Sequence, residues 1–240
     1  MKIHFITYGN KTFTNAVKRI CKEANDTGWF DTITPYGPDD LEDDFKKEFN
    51  NILTKPRGAG YWIWKNNIIQ QSINKINYDD ILVYLDSGCT INKKANKRFY
   101  EYIELLKNSN FGIISMQIKH REKCWTTKEI FNYFNIDSDS DIGNSGQFLG
   151  GIRIMKKNDH LINLIKLEKK LYSDNFLLVT DHYNKNQSKY FKDNRHEQSV
   201  FSVLRKIHGS IVIPDETYFK PNYGKGESLK YPIWATRRKT

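Results

Sequence analysis

The sequence predicts a single Rossmann-like α/β domain with a mostly parallel central sheet flanked by helices. Short apolar runs bounded by turn residues alternate with stretches whose apolar residues fall at helical spacing. The connections between them are short, as expected of strands joined through helices. In addition, 240 residues with 38% hydrophobic and 14% aromatic content can fill one large core, which excludes wholesale disorder.

Residues 3–7 (IHFIT) form an apolar run ending in Tyr8-Gly9-Asn10, a strand followed by turn chemistry. Over 14–24, Ala16, Val17, Ile20, Cys21 and Ala24 share one helical face, and 30–33 reads as a second strand. Pro38-Asp39-Asp40 opens a helix with Leu41, Phe45 and Phe49 four apart. After a glycine-rich hinge at 55–60, residues 62–76 read as helix, and 81–85 is a β-branched apolar run closed by Asp86-Ser87-Gly88. A helix at 99–106 and a strand at 111–116 follow. Residues 137–146 (DSDSDIGNSG) are the most loop-like; Asp137, Asp139 and Asp141 alternate as in a calcium loop but lack its glycine and distal Glu, leaving a solvated loop. Beyond it come an apolar stretch at 148–155, helices at 161–171 and 195–207, and a strand at 211–213. No repeat or linker divides the chain. Residues 1–120 suit a nucleotide-binding half, 121–217 a second pocket, and 218–240, rich in Gly, Pro, Lys and Arg, a basic tail.

Thirty-eight Lys and Arg against 28 Asp and Glu give a formal charge of +10, which favours an anionic partner: nucleic acid, an anionic membrane or a phosphorylated small molecule. Three scattered cysteines, with no C-x-x-C pair, fit neither a disulfide framework nor a thiolate zinc site. No apolar stretch approaches the roughly 20 residues that cross a bilayer, and the first residues lack a signal-peptide pattern. These features predict a soluble cytoplasmic protein, with peripheral membrane contact the most its basic surface allows.

Four segments have the makings of chemistry. In ILVYLDSGC (81–89), Asp86 ends a buried strand, where α/β sheets bind ligands; a carboxylate there can hold a divalent ion or accept from a sugar hydroxyl, or simply cap an Asp-Ser-Gly turn. In KPRGAGYWIWK (55–65), Lys55, Arg57 and Lys65 bracket two glycines near a helix start, a setting for an anion, and Tyr61, Trp62 and Trp64 can stack on a base or serve as core anchors. The Walker spacing is absent, so ATP hydrolysis is not indicated. NRHEQS (194–199) opens an amphipathic helix: His196 and Glu197 supply either a base and an acceptor contact or helix capping. GQFLGG (146–151) pairs glycines for close ligand approach or for a packed crossing.

In their shared order, these segments resemble small GT-A-fold nucleotide-sugar glycosyltransferases of bacteria and large DNA viruses, with a D-x-G-C variant of the D-x-D motif. The resemblance spans roughly residues 2–208. It implies transfer of a sugar from a nucleoside diphosphate donor, a UDP-hexose in first choice, to a hydroxyl of a glycan, lipid or protein. Thr7 and Tyr8 map beside the donor base, and Asp86 with Ser87 onto ribose, diphosphate and metal. Gln147, Gly150, Gly151, His196 and Gln198 map onto the acceptor pocket, and Trp62 onto the donor site. Glu197 is the first choice of general base and Asp181 the second. The implied cofactor is Mn²⁺ or Mg²⁺ at Asp86. The third position of the motif is Gly88, and one carboxylate is a weaker anchor than two for ions that prefer several oxygens, although phosphates and waters can supply the rest. Without a metal, Lys55, Arg57, Lys65, Arg237 and Arg238 are the cations available to offset charge on the departing diphosphate. Two other readings are a nucleic-acid binder and a GT-A-like domain that binds a nucleotide sugar without turnover. Against the first, the cations are interleaved with acids, as in LEDDFKKEFN, and no recognition-helix or RRM pattern appears, so no nucleic-acid partner is expected.

Overall fold

The computed structural model describes all 240 residues. Nine strands form: β1 (Ile3–Tyr8), β2 (Thr32–Tyr36), β3 (Ile81–Leu85), β4 (Thr90–Ile91), β5 (Ile113–Arg121), β6 (Gly146–Phe148), β7 (Ile152–Lys156), β8 (Ile211–Pro214) and β9 (Ile233–Trp234). The five longer helices are α1 (Thr14–Thr27), α2 (Trp64–Lys75), α3 (Asn96–Lys107), α4 (Asp159–Asn175) and α5 (Glu197–His208). Seven strands make one sheet in the order β2-β1-β3-β7-β5-β6, with β8 on the other edge of β5. Strands β1, β2, β3, β5 and β8 run one way; β6 and β7 run against them.

Side-chain alternation along the central strands feeds two cores, as a sheet covered on both faces requires. Ile81, Val83 and Leu85 of β3 face α1 and α3, packing with Ile20, Phe99 and Leu106. Leu82 and Tyr84 face α2, α4 and α5, packing with Ile68, Leu161 and Phe201. Because β7 inserts between β3 and β5, residues 1–120 and 121–217 share one sheet and are not separate bodies.

Several expectations shift. The second strand begins at Thr32, because Trp29 leaves the sheet to stack on Phe99 at 4.3 Å, while Asp31 caps the β1 backbone at Ile3. The helix expected from Pro38 breaks at Leu41, whose extended backbone separates a short 3₁₀ turn from Asp43–Glu48; Leu41 joins the core beneath α2, and Phe45 and Phe49 join a third cluster. The apolar stretch at 148–155 is two strands, β6 and β7, with the paired glycines at the bend. The tail is no loose appendage. Its β9 pairs antiparallel with β4, Asn92 donates to the carbonyls of Leu229 and Tyr231, and Ile233 is buried. No helix is long and apolar enough to cross a membrane.

Ile233→Asp places a charge where β9 meets the core. We expect the tail to detach and become cleavable by limited proteolysis within 218–232, with the far-UV circular dichroism of the sheet and helices preserved.

Candidate active site

A cleft of about 510 Å³ opens at the carboxyl ends of β1 and β3, the position where α/β sheets bind ligands. Three irregular segments wall it: residues 56–64, 86–89 and 235–239.

The first wall is a left-handed turn. Gly58, Ala59, Gly60, Tyr61 and Trp62 all have positive φ, between 50° and 93°. Glycine takes this conformation freely, whereas Ala59, Tyr61 and Trp62 each bear a cost on the order of 1–2 kcal/mol. A side chain at Gly60 would also strike the Leu53 backbone at 2.8 Å. The turn is held by Trp64 Nε1 donating to Gly58 O (2.9 Å) and turns Trp62 into the cleft, where Tyr8, stacked 3.7 Å from Trp64, supplies a second aromatic surface.

Asp86 stands on the second wall, its side chain 46% exposed. Tyr84 Oη donates to Oδ1 at 2.5 Å, and the Lys65 ammonium lies 3.6 Å from the same oxygen, which leaves Oδ2 toward the cleft. Gly151 makes room for it: a Cβ there would sit 2.4 Å from Oδ2. Arg19 of α1 donates to the carbonyls of Ser87 and Cys89, fixing the turn from behind.

The third wall is the tail. Arg238 N and Thr236 Oγ1 both donate to Gly88 O, each at 2.9 Å. A Cβ at residue 88 would lie 3.2 Å from the Arg237 Cα. Glycine at this position therefore lets the tail pass, bringing Arg237, Arg238 and Lys239 into the cleft.

The overall architecture matches glycosyltransferases of known structure. A glycosyltransferase involved in the glycosylation of the major capsid of PBCV-1 superposes with a TM-score of 0.57 at 15% identity, over 98% of this chain and 93% of its own. Mouse xyloside xylosyltransferase 1, in its apo form, gives 0.53 at 9% identity, over 98% and 97%. The chain has a GT-A fold. At these identities the likeness is one of fold. No protein-family model matches the sequence, and no curated protein matches it.

On this GT-A scaffold, Tyr8, Trp62, Asp86, Ser87, Gly151, Gln198, Arg237 and Arg238 come together around the cleft. Trp64 and Gly88 line it too, whereas Thr7, Lys55, Arg57, Lys65, Gln147, Gly150, Asp181, His196 and Glu197 do not. Thr7 is fully buried, its hydroxyl tying β1 to Leu85 O (2.8 Å). Arg57 pairs with Asp181 (2.8 Å) and Asp193 (3.2 Å), and Asp181 also accepts from Tyr61 and His196, a network that braces the left-handed turn. Lys55 precedes that turn on the exposed surface. Gln147 is buried behind the wall, donating to Glu122 (2.8 Å), and Gly150 abuts the Gln198 side chain and accepts from Lys65 through its carbonyl.

Lys65 and Glu197 lie under the floor, with side chains 3% and 2% exposed and 3.1 Å apart. Glu197 also pairs with Arg153, which pairs in turn with Glu168 (3.5 Å). Glu197 is thus held by two cations out of reach of an acceptor, a correction to its expected role as base; its side chain does not cap α5 either. Asp181, the second choice, is equally committed. Burial lowers the Lys65 pKa, an effect that Asp86 and Glu168 oppose.

A divalent cation does not fit these donors as a protein-built site. Asp86 is the only carboxylate on the cleft, with one oxygen free, and no group of three His, Cys, Asp or Glu side chains is placed to hold a metal. Lys239, Arg19 and the buried Arg153–Glu168 pair also shape the site without standing out in the sequence. Only the basic run at 237–239 offered a signal, and it extends one residue beyond the pair chosen.

Glu197→Gln leaves two buried cations short of a partner and should lower stability by about 3–5 kcal/mol, measured by chemical denaturation, whatever its effect on activity. A second expectation concerns pH. Burial lowers the His196 pKa below its usual 6.5, although the bond to Asp181 works the other way. The folded state then binds fewer protons than the unfolded chain, so stability falls as pH drops below about 6.5 toward the lowered pKa. His196→Gln should flatten that part of a melting-temperature profile.

Proposed function

We propose that this protein is a glycosyltransferase that moves a sugar, with a UDP-hexose the first choice of donor, from a nucleoside diphosphate to a hydroxyl acceptor on a glycan, lipid or protein. The observation that carries this reading is the meeting of Asp86 with Arg237, Arg238 and Lys239 across the cleft of a GT-A fold. The aromatic faces of Trp62 and Tyr8 suit a base or sugar ring, and Asp86 Oδ2 suits a ribose or sugar hydroxyl. The three tail cations suit a diphosphate and offset the charge that develops on it as the glycosidic bond breaks. In this reading the tail takes the place of the second carboxylate of a D-x-D motif, and cations carried by the protein do the work of a bound ion.

The stereochemical reading follows from the acids. Inverting transfer needs a base within hydrogen-bond reach of the acceptor hydroxyl. Glu197 and Asp181 are engaged elsewhere, and Asp86 belongs to the donor end. Retention of the anomeric configuration, in which the departing phosphate oxygen itself takes the acceptor proton, suits this arrangement.

UDP-, GDP-, CMP- and dTDP-sugars should be screened by thermal shift and then by product formation. We expect a UDP-hexose to bind, transfer or donor hydrolysis to persist in EDTA, the Arg237→Ala/Arg238→Ala pair to lose at least about 100-fold in kcat/KM, and NMR of early product to show the donor's anomeric configuration. A strict requirement for added Mn²⁺ would refute the assignment of the charge-offsetting role to the tail. Binding with neither transfer nor hydrolysis would make the chain a nucleotide-sugar-binding domain.

A further inference from the structure

Beside Gln198, outside the lining of the cleft, a group of cationic side chains gathers around Trp125. Gln198 donates to Gln147 Oε1 (2.9 Å), and the same oxygen accepts from Arg195 Nη1 (3.1 Å). The Arg195 guanidinium lies 3.8 Å from the centre of the Trp125 ring. His120 meets that ring edge-on at 5.5 Å, and the Lys192 ammonium comes within 5.9 Å of it. His120 and Lys192 are exposed and Arg195 is half-buried.

No carboxylate forms an ion pair with His120, Lys192 or Arg195. The nearby acids are engaged: Asp193 with Arg57 at 3.2 Å, and buried Glu122 with Lys206 at 2.9 Å. Arg237, on the donor side, adds a further positive charge. Burial and then repulsion from Arg237 push the Arg195 pKa down to about 10, against the pull of Glu122 and Asp193, while burial, Arg195 and Lys192 lower that of His120. Cations gathered here without an ion pair of their own gain when an anion arrives. The geometry is also selective. Trp125 fixes the plane of the guanidinium, Gln147 occupies Nη1, and Nε and Nη2 have no protein acceptor, a fork suited to an oxyanion.

We propose that this cluster is the acceptor's anion subsite: the molecule that receives the sugar carries a phosphate or carboxylate, which seats on the Arg195 fork near Lys192, His120 and Arg237. This rests on the transferase reading and adds the acceptor's charge to it. The donor's own diphosphate is the less suitable occupant, because Arg195 does not line the donor cleft, which Gln198, sharing the Gln147 oxygen with Arg195, does.

The full chain should be titrated calorimetrically, at fixed ionic strength, with glucose 6-phosphate, glucuronate and glucose, both with saturating UDP and without it. We expect at least one anionic sugar to bind where glucose does not, and Arg195→Gln to weaken that binding about tenfold or more. Glucose 6-phosphate binding alone identifies phosphate as the group, and glucuronate binding alone identifies carboxylate. If the melting temperature shows that Arg195→Gln does not fold, Lys192→Gln replaces it, with a loss of several-fold expected. Equal binding of glucose and both anionic sugars, no binding of either anion, or anion binding that a folded variant leaves unchanged overturns the proposal. The UDP titration reads the donor site separately, so either reading can fail while the other stands.

Discussion

The cleft rests on a chain of buried charges beneath its floor, Lys65, Glu197, Arg153 and Glu168, which reaches half-exposed Asp86 on the wall through Lys65. Its members come from α2, α5, β7 and α4, so the chain fixes how helices on one face of the sheet meet the strands. Glu168 is completed by Tyr172 and Asn66, each at 2.8 Å, and the Arg153 guanidinium lies 3.9 Å from the Phe201 ring. Such a network adds little net stability over an apolar core, because each charge has lost its water. What it provides is orientation. Lys65 is aimed at Asp86 and at the Gly150 carbonyl together, so the cleft carboxylate and the bend between β6 and β7 are set by one ammonium group.

Above this floor, the walls are the least regular parts of the chain, and each depends on glycine where backbone or side chain approaches closely. Gly58 and Gly60 permit a left-handed turn that Ala59, Tyr61 and Trp62 must join at a cost. The network of Arg57, Tyr61, Asp181 and His196 supplies the compensating bonds, and Trp62 is turned into the cleft as a result. Strain of this kind persists only where the surroundings over-determine it, and here they do so from both sides of the turn.

Sequence carried the layered fold because its signals are local. The continuous apolar run of 81–85, the helical face of 14–24 and the Asp-Ser-Gly ending each lie within a dozen residues. Strand direction is not local: β7 reads as an apolar run whichever way it points, and only its pairing between β3 and β5 makes it antiparallel. The same limit governed the site. Asp86 was legible as a carboxylate at the end of a strand. Arg57, next to two glycines, read as a free cation because the acid that claims it is 124 residues away. Glu197 sits at a helix start, where capping and catalysis leave the same trace in sequence, and its inward turn toward Lys65 leaves none. The two-residue strand β9 is too short to show any period, so the tail read as composition alone.

The tail also changes the meaning of the net charge. Most of the 38 cations are spread over the surface or paired, and a formal +10 by itself selects no partner. In the cleft the balance is specific: one carboxylate, Asp86, faces Arg237, Arg238 and Lys239. A second acid at position 88 would crowd the Arg237 backbone and put another negative charge in the cleft. Gly88 and the basic tail are therefore coupled features. The glycine lets the tail close over the strand end, and the tail reverses the sign of the field there. A cleft whose net charge is positive favours anionic ligands, with Asp86 and the aromatic wall of Trp62 and Tyr8 left to tell one such ligand from another.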